Sequence, residues 1–256
     1  LDFINLSKDD PVDIIGVIPA RYESSRFPGK PLADISGKPM IRHVYERSRQ
    51  AEALSRVLVA TDDRRIVDAV HAFGGEALLT SDAHPSGTDR IAEACRLLSI
   101  SEDAIVVNIQ GDEPLLEPVM IQRLVEALQD SDSPMATLVF ESHDEREMLD
   151  PNVVKAVVDQ KGRALYFSRA PIPHVRDRGG APAAFLKHLG LYAYRHSFLQ
   201  LFTRLPQGNL ERIEKLEQLR ALENGFSIRT AISPVETHGV DTPEDLAHIL
   251  CLYNSR

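Results

Sequence analysis

Three separated segments of this 256-residue chain hold the side chains whose types and spacing could do chemistry. The first runs Pro19-Ala20-Arg21-Tyr22-Glu23-Ser24-Ser25-Arg26-Phe27-Pro28-Gly29-Lys30-Pro31-Leu32. From Arg21 to Lys38 the cations Arg21, Arg26, Lys30 and Lys38 outnumber the acids Glu23 and Asp34. Ser24, Ser25, Pro28 and Gly29 are the small and turn-forming residues that let backbone amides approach an anion, so a nucleoside triphosphate fits the segment. Neither common phosphate signature is present: Gly37-Lys38 is followed by Pro39 and lacks the earlier glycine of a P-loop, and there is no GxGxxG. Read alone, the segment is equally a solvated basic loop. The second segment is Asn108-Ile109-Gln110-Gly111-Asp112-Glu113-Pro114. Asp112 there could hold a magnesium ion shared with substrate phosphates, or simply cap a polar turn. The third is Gly239-Val240-Asp241-Thr242-Pro243-Glu244-Asp245, which reads as a helix start with Thr242 as N-cap and Pro243 at the first position. Asp241 precedes that cap, and it is a second ligand for the same ion only in company with Asp112.

These segments need a scaffold that brings them together. Ile14–Ile18, Arg56–Ala60 and Ala104–Ile109 are short, apolar and β-branched, the pattern of strands buried on both faces. Helix-like stretches lie near Met40–Arg49, Arg64–Phe73 and Asp89–Leu98, and Gly74-Gly75 reads as a helix stop. This alternation predicts an α/β fold with a mixed, mostly parallel sheet and helices on both faces. In such sheets ligands bind beyond the carboxyl ends of the strands, where the first two segments fall. Further strands are expected at Ala136–Phe140, Val153–Val158, Lys187–Tyr194 and Ile228–Ala231. The proline-bearing middle of the chain reads as an extension of the sheet, with a mobile loop at Gly179-Gly180-Ala181-Pro182. Residues 1–11 are expected to be a tail without a secretory signal.

Composition narrows the function classes. The formal net charge is −9 and the basic segment carries a local surplus of two, leaving −11 elsewhere, which disfavours non-specific nucleic-acid binding. No apolar run reaches the roughly 20 residues of a membrane helix. Cys95 and Cys251 form no metal or disulfide spacing and are expected to be small buried hydrophobes in a reducing compartment. In Lys187-His188-Leu189-Gly190-Leu191-Tyr192 the strand period of two puts His188, Gly190 and Tyr192 on one face, the makings of a polar pocket wall. Leu210, Ile213 and Leu216 are expected to form a helical apolar stripe with Glu217 at its margin, within reach of Arg220.

The three segments occur in register with Ser86-Gly87-Thr88-Asp89-Arg90, Ala164-Leu165-Tyr166-Phe167-Ser168-Arg169, Lys187-His188-Leu189-Gly190 and Leu216-Glu217-Gln218-Leu219-Arg220. Together, from about Ile14 to about Leu250, they resemble the 3-deoxy-manno-octulosonate (Kdo) cytidylyltransferases. The resemblance implies a nucleotide-diphospho-sugar transferase (Rossmann-like) architecture in one domain over 12–253, with a dimerisation and sugar-binding extension around 150–205. It implies a cytoplasmic homodimer that uses magnesium and CTP to convert Kdo, a 2-keto-3-deoxy sugar acid, into CMP-Kdo for lipopolysaccharide synthesis. By the same resemblance Arg21 and Lys30 meet the triphosphate, with Ser24 and Ser25 in the same loop. Ser86, Gly87 and Arg90 line the nucleotide pocket, Gln110 contacts Kdo or the nucleotide beside the metal, and Asp112 and Asp241 are the metal ligands. Arg169, His188, Tyr192, Glu217 and Gln218 form the sugar-acid pocket.

Attack of the anomeric hydroxyl on the α-phosphorus asks the protein mainly to position groups and neutralise charge. Two magnesium ions are expected to stabilise the attacking and leaving oxygens and to lower the pKa of the hydroxyl, since no general base is evident. The sequence departs from the pattern at His174, where many relatives have a large aromatic, and at Lys187, where arginine is common. Several stretches lie closer to relatives acting on the 8-amino-8-deoxy analogue of Kdo. Transfer to a sialic acid and a non-catalytic nucleotide-binding protein are the competing readings. The first is disfavoured by Gly29-Lys30-Pro31-Leu32, the second by the presence of two metal carboxylates with Lys30.

Overall fold

A computed structural model describes residues 12–23, 27–176 and 184–254. The 1–11 tail, Ser24, Ser25, Arg26 and the Gly179–Pro182 loop lie outside the described residues. In chain order the strands are β1 (Ile14–Ala20), β2 (Asp34–Ile35), β3 (Lys38–Pro39), β4 (Arg56–Thr61), β5 (Ala77–Leu79), β6 (Ile105–Asn108), β7 (Met135–Ser142), β8 (Lys155–Val158), β9 (Ala164–Ser168), β10 (Phe185–Arg195) and β11 (Ile228–Ile232). The helices are α1 (Met40–Ser48), α2 (Arg64–Ala72), α3 (Gly87–Leu97), α4 (Pro118–Gln129), α5 (Glu145–Leu149), α6 (His196–Phe202), α7 (Asn209–Glu214), α8 (Leu219–Glu223) and α9 (Pro243–Asn254), with a 3-10 turn at Lys30–Leu32.

The main sheet has the order β11-β7-β10-β6-β1-β4-β5. Strands β6, β1 and β4 pair in parallel, as the apolar runs predicted, and β5 adds to β4 in parallel at the edge. Alternate residues of each run face opposite layers. Ile14 and Ile18 pack with Ile41, Ile66 and Leu124 from α1, α2 and α4. Ile15 and Val17 pack with Ile91, Phe198 and Leu219 from α3, α6 and α8. Burying each such side chain contributes about 1.5–3 kcal/mol, which is why the register cannot slip by one residue.

Strand β10 is the antiparallel member, running between β6 and β7. Near its start it also pairs with β8, which carries β9 as the sheet's extension. Its register against β7 shifts between Leu189 and Tyr192. This bulge leaves carbonyls that side chains must satisfy. Gln110 Nε2 donates to Gly190 O at 2.9 Å, and Thr137 Oγ1 donates to Leu191 O at 2.8 Å. His188 and Tyr192 still share a face, with ring centroids 5.5 Å apart.

Two expectations are corrected. The helical stripe over Leu210, Ile213 and Leu216 does not form, because Lys215 takes a left-handed conformation (φ 55°) and separates α7 from α8. Ile213 is consequently 77% exposed, and only Leu216 is buried. Cys95 is buried as expected, but Cys251 on α9 is exposed.

Candidate active site

The loop after β1 closes on itself before releasing Lys30. Gly29 N–H donates to Tyr22 O at 2.8 Å, and Gly29 has φ 73°, where a side chain would be strained. A Cβ at Gly29 would also lie 3.2 Å from the Tyr22 ring. Pro31 then fits the first turn of the short 3-10 helix that carries Lys30.

From the loop after β6 comes Asp112, next to Gly111, whose Cα lies against the end of β1: a Cβ there would sit 3.0 Å from Pro19 O. Val240 N–H donates to Asp112 O at 2.8 Å, which brings the segment before α9 alongside. The cap at α9 is as read from the sequence. Thr242 Oγ1 accepts from Asp245 N at 3.2 Å, and Asp245 Oδ2 accepts from Asp241 N and Thr242 N at 2.9 Å each. This fixes the Asp241 backbone and leaves its carboxylate beyond the helix.

The three segments meet at one ammonium. Lys30 Nζ donates to Asp112 Oδ2 at 2.7 Å and to Asp241 Oδ1 at 3.3 Å. The lysine side chain is 14% exposed, while Asp112 and Asp241 are 31% and 52% exposed. Two hard oxygen donors from distant segments already share one cation, so the donor set fits a divalent ion such as magnesium. Beside them Glu113 is buried with Oε2 unpartnered among the described residues; burial, and then the charge of Asp112, push its carboxyl up to about 8.

Arg21 Nη2 donates to His84 O at 2.9 Å, tying the first loop to the turn before α3. Ser86 caps α3 by accepting from Asp89 N at 3.2 Å, and Gly87 packs on Pro19. Arg90 is neither a surface cation nor an exposed pocket residue: it is fully buried. Its guanidinium donates to Thr80 Oγ1 (2.6 Å), Ser81 O (3.2 Å) and Asp62 Oδ2 (2.5 Å), bracing the ends of β4 and β5. Lys38 pairs with Glu46 at 2.8 Å, a partly exposed ion pair.

A second group lines β10 and α8. Thr137 Oγ1 lies 2.8 Å from Leu191 O, 3.2 Å from Leu189 O and 2.9 Å from His188 Nε2; with its one proton given to a carbonyl, it accepts from His188 Nε2–H. His188 is therefore the neutral Nε2–H tautomer, with Nδ1 as an acceptor. It lies against Phe167 and Tyr192, and desolvation lowers it to about 3. Burial raises the Tyr192 phenol far above its usual range, and the nearby Glu217 charge adds to this. Glu217 is raised mainly by burial, although Thr88 Oγ1 donates to its Oε2 at 2.6 Å. Arg220 lies 3.6 Å from Glu217 but pairs more closely with Glu211, at 2.6 Å. Gln218 is buried and its Nε2 has no partner among the described residues.

Arg169 is anchored by Nε to Glu214 O (2.7 Å) and Nη1 to Pro151 O (2.9 Å). Its own carbonyl accepts from the fully buried Lys155 Nζ at 2.7 Å. Lys155 also donates to Asp150 O and Val153 O, at 2.9 and 2.6 Å. Lys187 bridges Glu147, at 2.7 Å, and Glu236. The supporting residues Asp62, Thr88, Thr137, Lys155 and Glu214 were not singled out in the sequence. A polar residue at an otherwise apolar strand position, as at Thr137 and Lys155, is the one local signal they give.

A family model described as cytidylyltransferase matches residues 15–231. The chain is 66% identical over 238 residues to a 3-deoxy-manno-octulosonate cytidylyltransferase of Syntrophobacter fumaroxidans, covering 93% of this chain and 95% of that one. It is 53% identical to an 8-amino-3,8-dideoxy-manno-octulosonate cytidylyltransferase of Shewanella pealeana, covering 90% and 94%. Among solved structures, CMP:2-keto-3-deoxy-manno-octonic acid synthetase complexed with CTP superposes with a TM-score of 0.89 at 46% identity, over 95% of this chain and 99% of that one. The chain belongs to the cytidylyltransferase family.

Proposed function

We propose that this chain transfers CMP from CTP to the anomeric hydroxyl of Kdo, giving CMP-Kdo and pyrophosphate for lipopolysaccharide synthesis. The observation that carries the reading is the meeting of Lys30, Asp112 and Asp241 at the end of the sheet, in a fold matched by a CTP complex at 46% identity. The hydroxyl oxygen forms a bond to the α-phosphorus, the α–β bridging bond breaks, pyrophosphate leaves, and the hydroxyl proton passes to solvent. Arg21 and Lys30 bring positive charge to the triphosphate, with Ser24 and Ser25 in the same loop; Ser86 and Gly87 present the start of α3. Gln110 and Arg90 act from behind, one through the β10 bulge and the other through the β4 and β5 ends.

Asp112 and Asp241 would hold magnesium, which when bound supplies neutralisation of the phosphate charge during transfer. On the sugar side, Arg169, whose Nη2 and second Nη1 proton are unused among the described residues, offers them to the carboxylate, an interaction its fork suits. His188 Nδ1 accepts from a sugar hydroxyl, and Gln218 Nε2 donates to one. Tyr192 and Glu217 complete the wall. We read residues 12–253 as one domain with the extension at 150–205 serving the sugar and a homodimer contact, working in the cytoplasm. No described helix is long and apolar enough to cross a membrane.

Pyrophosphate release with CTP and magnesium, offering Kdo, 8-amino-8-deoxy-Kdo and N-acetylneuraminate in parallel, tests the reading. Turnover with Kdo above the other two is expected. Preference for the amino sugar moves the substrate to the alternative that the Shewanella relative favours. No turnover with any of them, despite CTP binding, overturns cytidylyl transfer to a sugar acid.

A further inference from the structure

The ammonium of Lys30 occupies the position a shared cation takes between two carboxylates. It lies 2.7 Å from Asp112 and 3.3 Å from Asp241. The same side chain emerges from the loop assigned to the triphosphate. One ammonium cannot fully neutralise both the carboxylate pair and a tetra-anionic ligand. We propose that Lys30 is an exchangeable counter-ion. It neutralises Asp112 and Asp241 before loading, and it passes to the triphosphate when a divalent ion takes the two carboxylates. This rests on reading Asp112 and Asp241 as the metal ligands.

The surrounding structure suits an exchange. The backbone of Lys30 is fixed by the 3-10 turn and by the Gly29–Tyr22 closure, whereas its four-carbon stem can pivot. Both carboxylates reach solvent, so an ion can approach without local unfolding. Lysine is a compact point charge with three rotatable donors, so it can trade one set of oxygens for another; a planar guanidinium is less able to do so. A metal arriving without CTP must displace the ammonium into water. A metal arriving with CTP gives that ammonium a new anionic partner. Metal and CTP binding are therefore positively coupled through one side chain, and the coupling is reciprocal.

Manganese binding to the whole protein without CTP, followed by electron paramagnetic resonance of the free ion, reads this directly. Lys30→Met is expected to bind Mn2+ on the order of tenfold more tightly than wild type, within the usual range of site-to-site coupling. Lys30→Arg, which keeps the charge, is expected not to bind more tightly. Equal or weaker binding by Lys30→Met, with its circular dichroism and melting temperature unchanged, overturns the exchange. Asp112→Asn separates the two layers of the claim. If it leaves Mn2+ affinity at the wild-type value, the metal reading fails and the exchange with it. If it weakens binding while Lys30→Met does not tighten it, the exchange alone fails.

Discussion

Where β1 and β6 end, Asp112 and Asp241 stay one-third to one-half exposed and meet Lys30 across three separate loops. On β10 and α8 the candidate groups are desolvated instead: His188 is held neutral, Tyr192 and Glu217 are pushed toward their protonated forms, and Gln218 is buried. The first region is built from full charges in a setting where water can exchange. The second is built from neutral donors, acceptors and rings in a setting where an unmatched polar group is costly. A triphosphate carries several charges and little shape; a sugar acid carries one charge and many hydroxyls. The two regions touch through Gln110 on Gly190 O and Thr88 on Glu217. On the proposed function, charge neutralisation and shape recognition are set side by side on one sheet but made from different material.

Removing charge should hurt most in the first region. Asp112→Asn and Asp241→Asn are expected to lower kcat roughly 10²–10³-fold, the scale of losing one preorganised electrostatic contact to a transition state. Pyrophosphate release checks this, and because both residues reach solvent the melting temperature should hardly move. In the second region the largest effect should be on stability. Lys155→Met strands three backbone carbonyls that one buried ammonium now serves. A loss of about 3 kcal/mol is expected, measurable by urea unfolding. The carbonyl of Arg169 is one of the three, so the Michaelis constant for Kdo should rise in the same variant while that for CTP holds. Arg169→Lys is milder for the fold. It gives up the planar fork and should raise the Michaelis constant for Kdo about tenfold or more, again sparing CTP. Equal rises for both substrates would dissolve the division between the regions.

The two regions also differ in how much of them could be read from sequence. The basic loop, Asp112 and the α9 cap sit in short local patterns whose geometry is set by neighbours in the chain. The strands β1, β4 and β6 announced themselves because burial on both faces needs unbroken β-branched runs. The second region depends on pairings that no local period records. The strand at Lys187–Tyr194 was legible, but its antiparallel place between β6 and β7 was not. The partners at Asp62, Thr88 and Glu214 lie far along the chain from Arg90, Glu217 and Arg169 or gave no local cue. Strand β5 is only three residues on an edge, too short for a pattern. At Glu217 the helical period misled, since one left-handed residue, Lys215, resets the phase. Arg90 read as a pocket residue, because a short motif cannot reveal that its guanidinium is buried against Asp62.

The pH dependence of stability is the sharpest test of the second region. His188 donates from Nε2 to Thr137 and is enclosed by rings, so its native form stays neutral down to about pH 3. In the unfolded chain an imidazole takes up its proton near pH 6.5. The depressed native value means that the unfolded state binds more protons between those limits. The neutral histidine therefore has no pH cost above 6.5, and stability is lost as pH falls below it, by up to about 1.4 kcal/mol per unit. His188→Gln keeps a donor for Thr137 and has nothing to titrate. Between pH 7 and pH 5 its stability should gain about 2 kcal/mol on the wild type, as read by urea unfolding at matched ionic strength. Parallel pH dependence of the two proteins would mean that His188 protonates freely in the native state. The β10 wall would then be as wet as the region around Asp112 and Asp241. Activity should show no inflection from this residue between pH 5 and 8, because a group with a native value of about 3 does not change charge there.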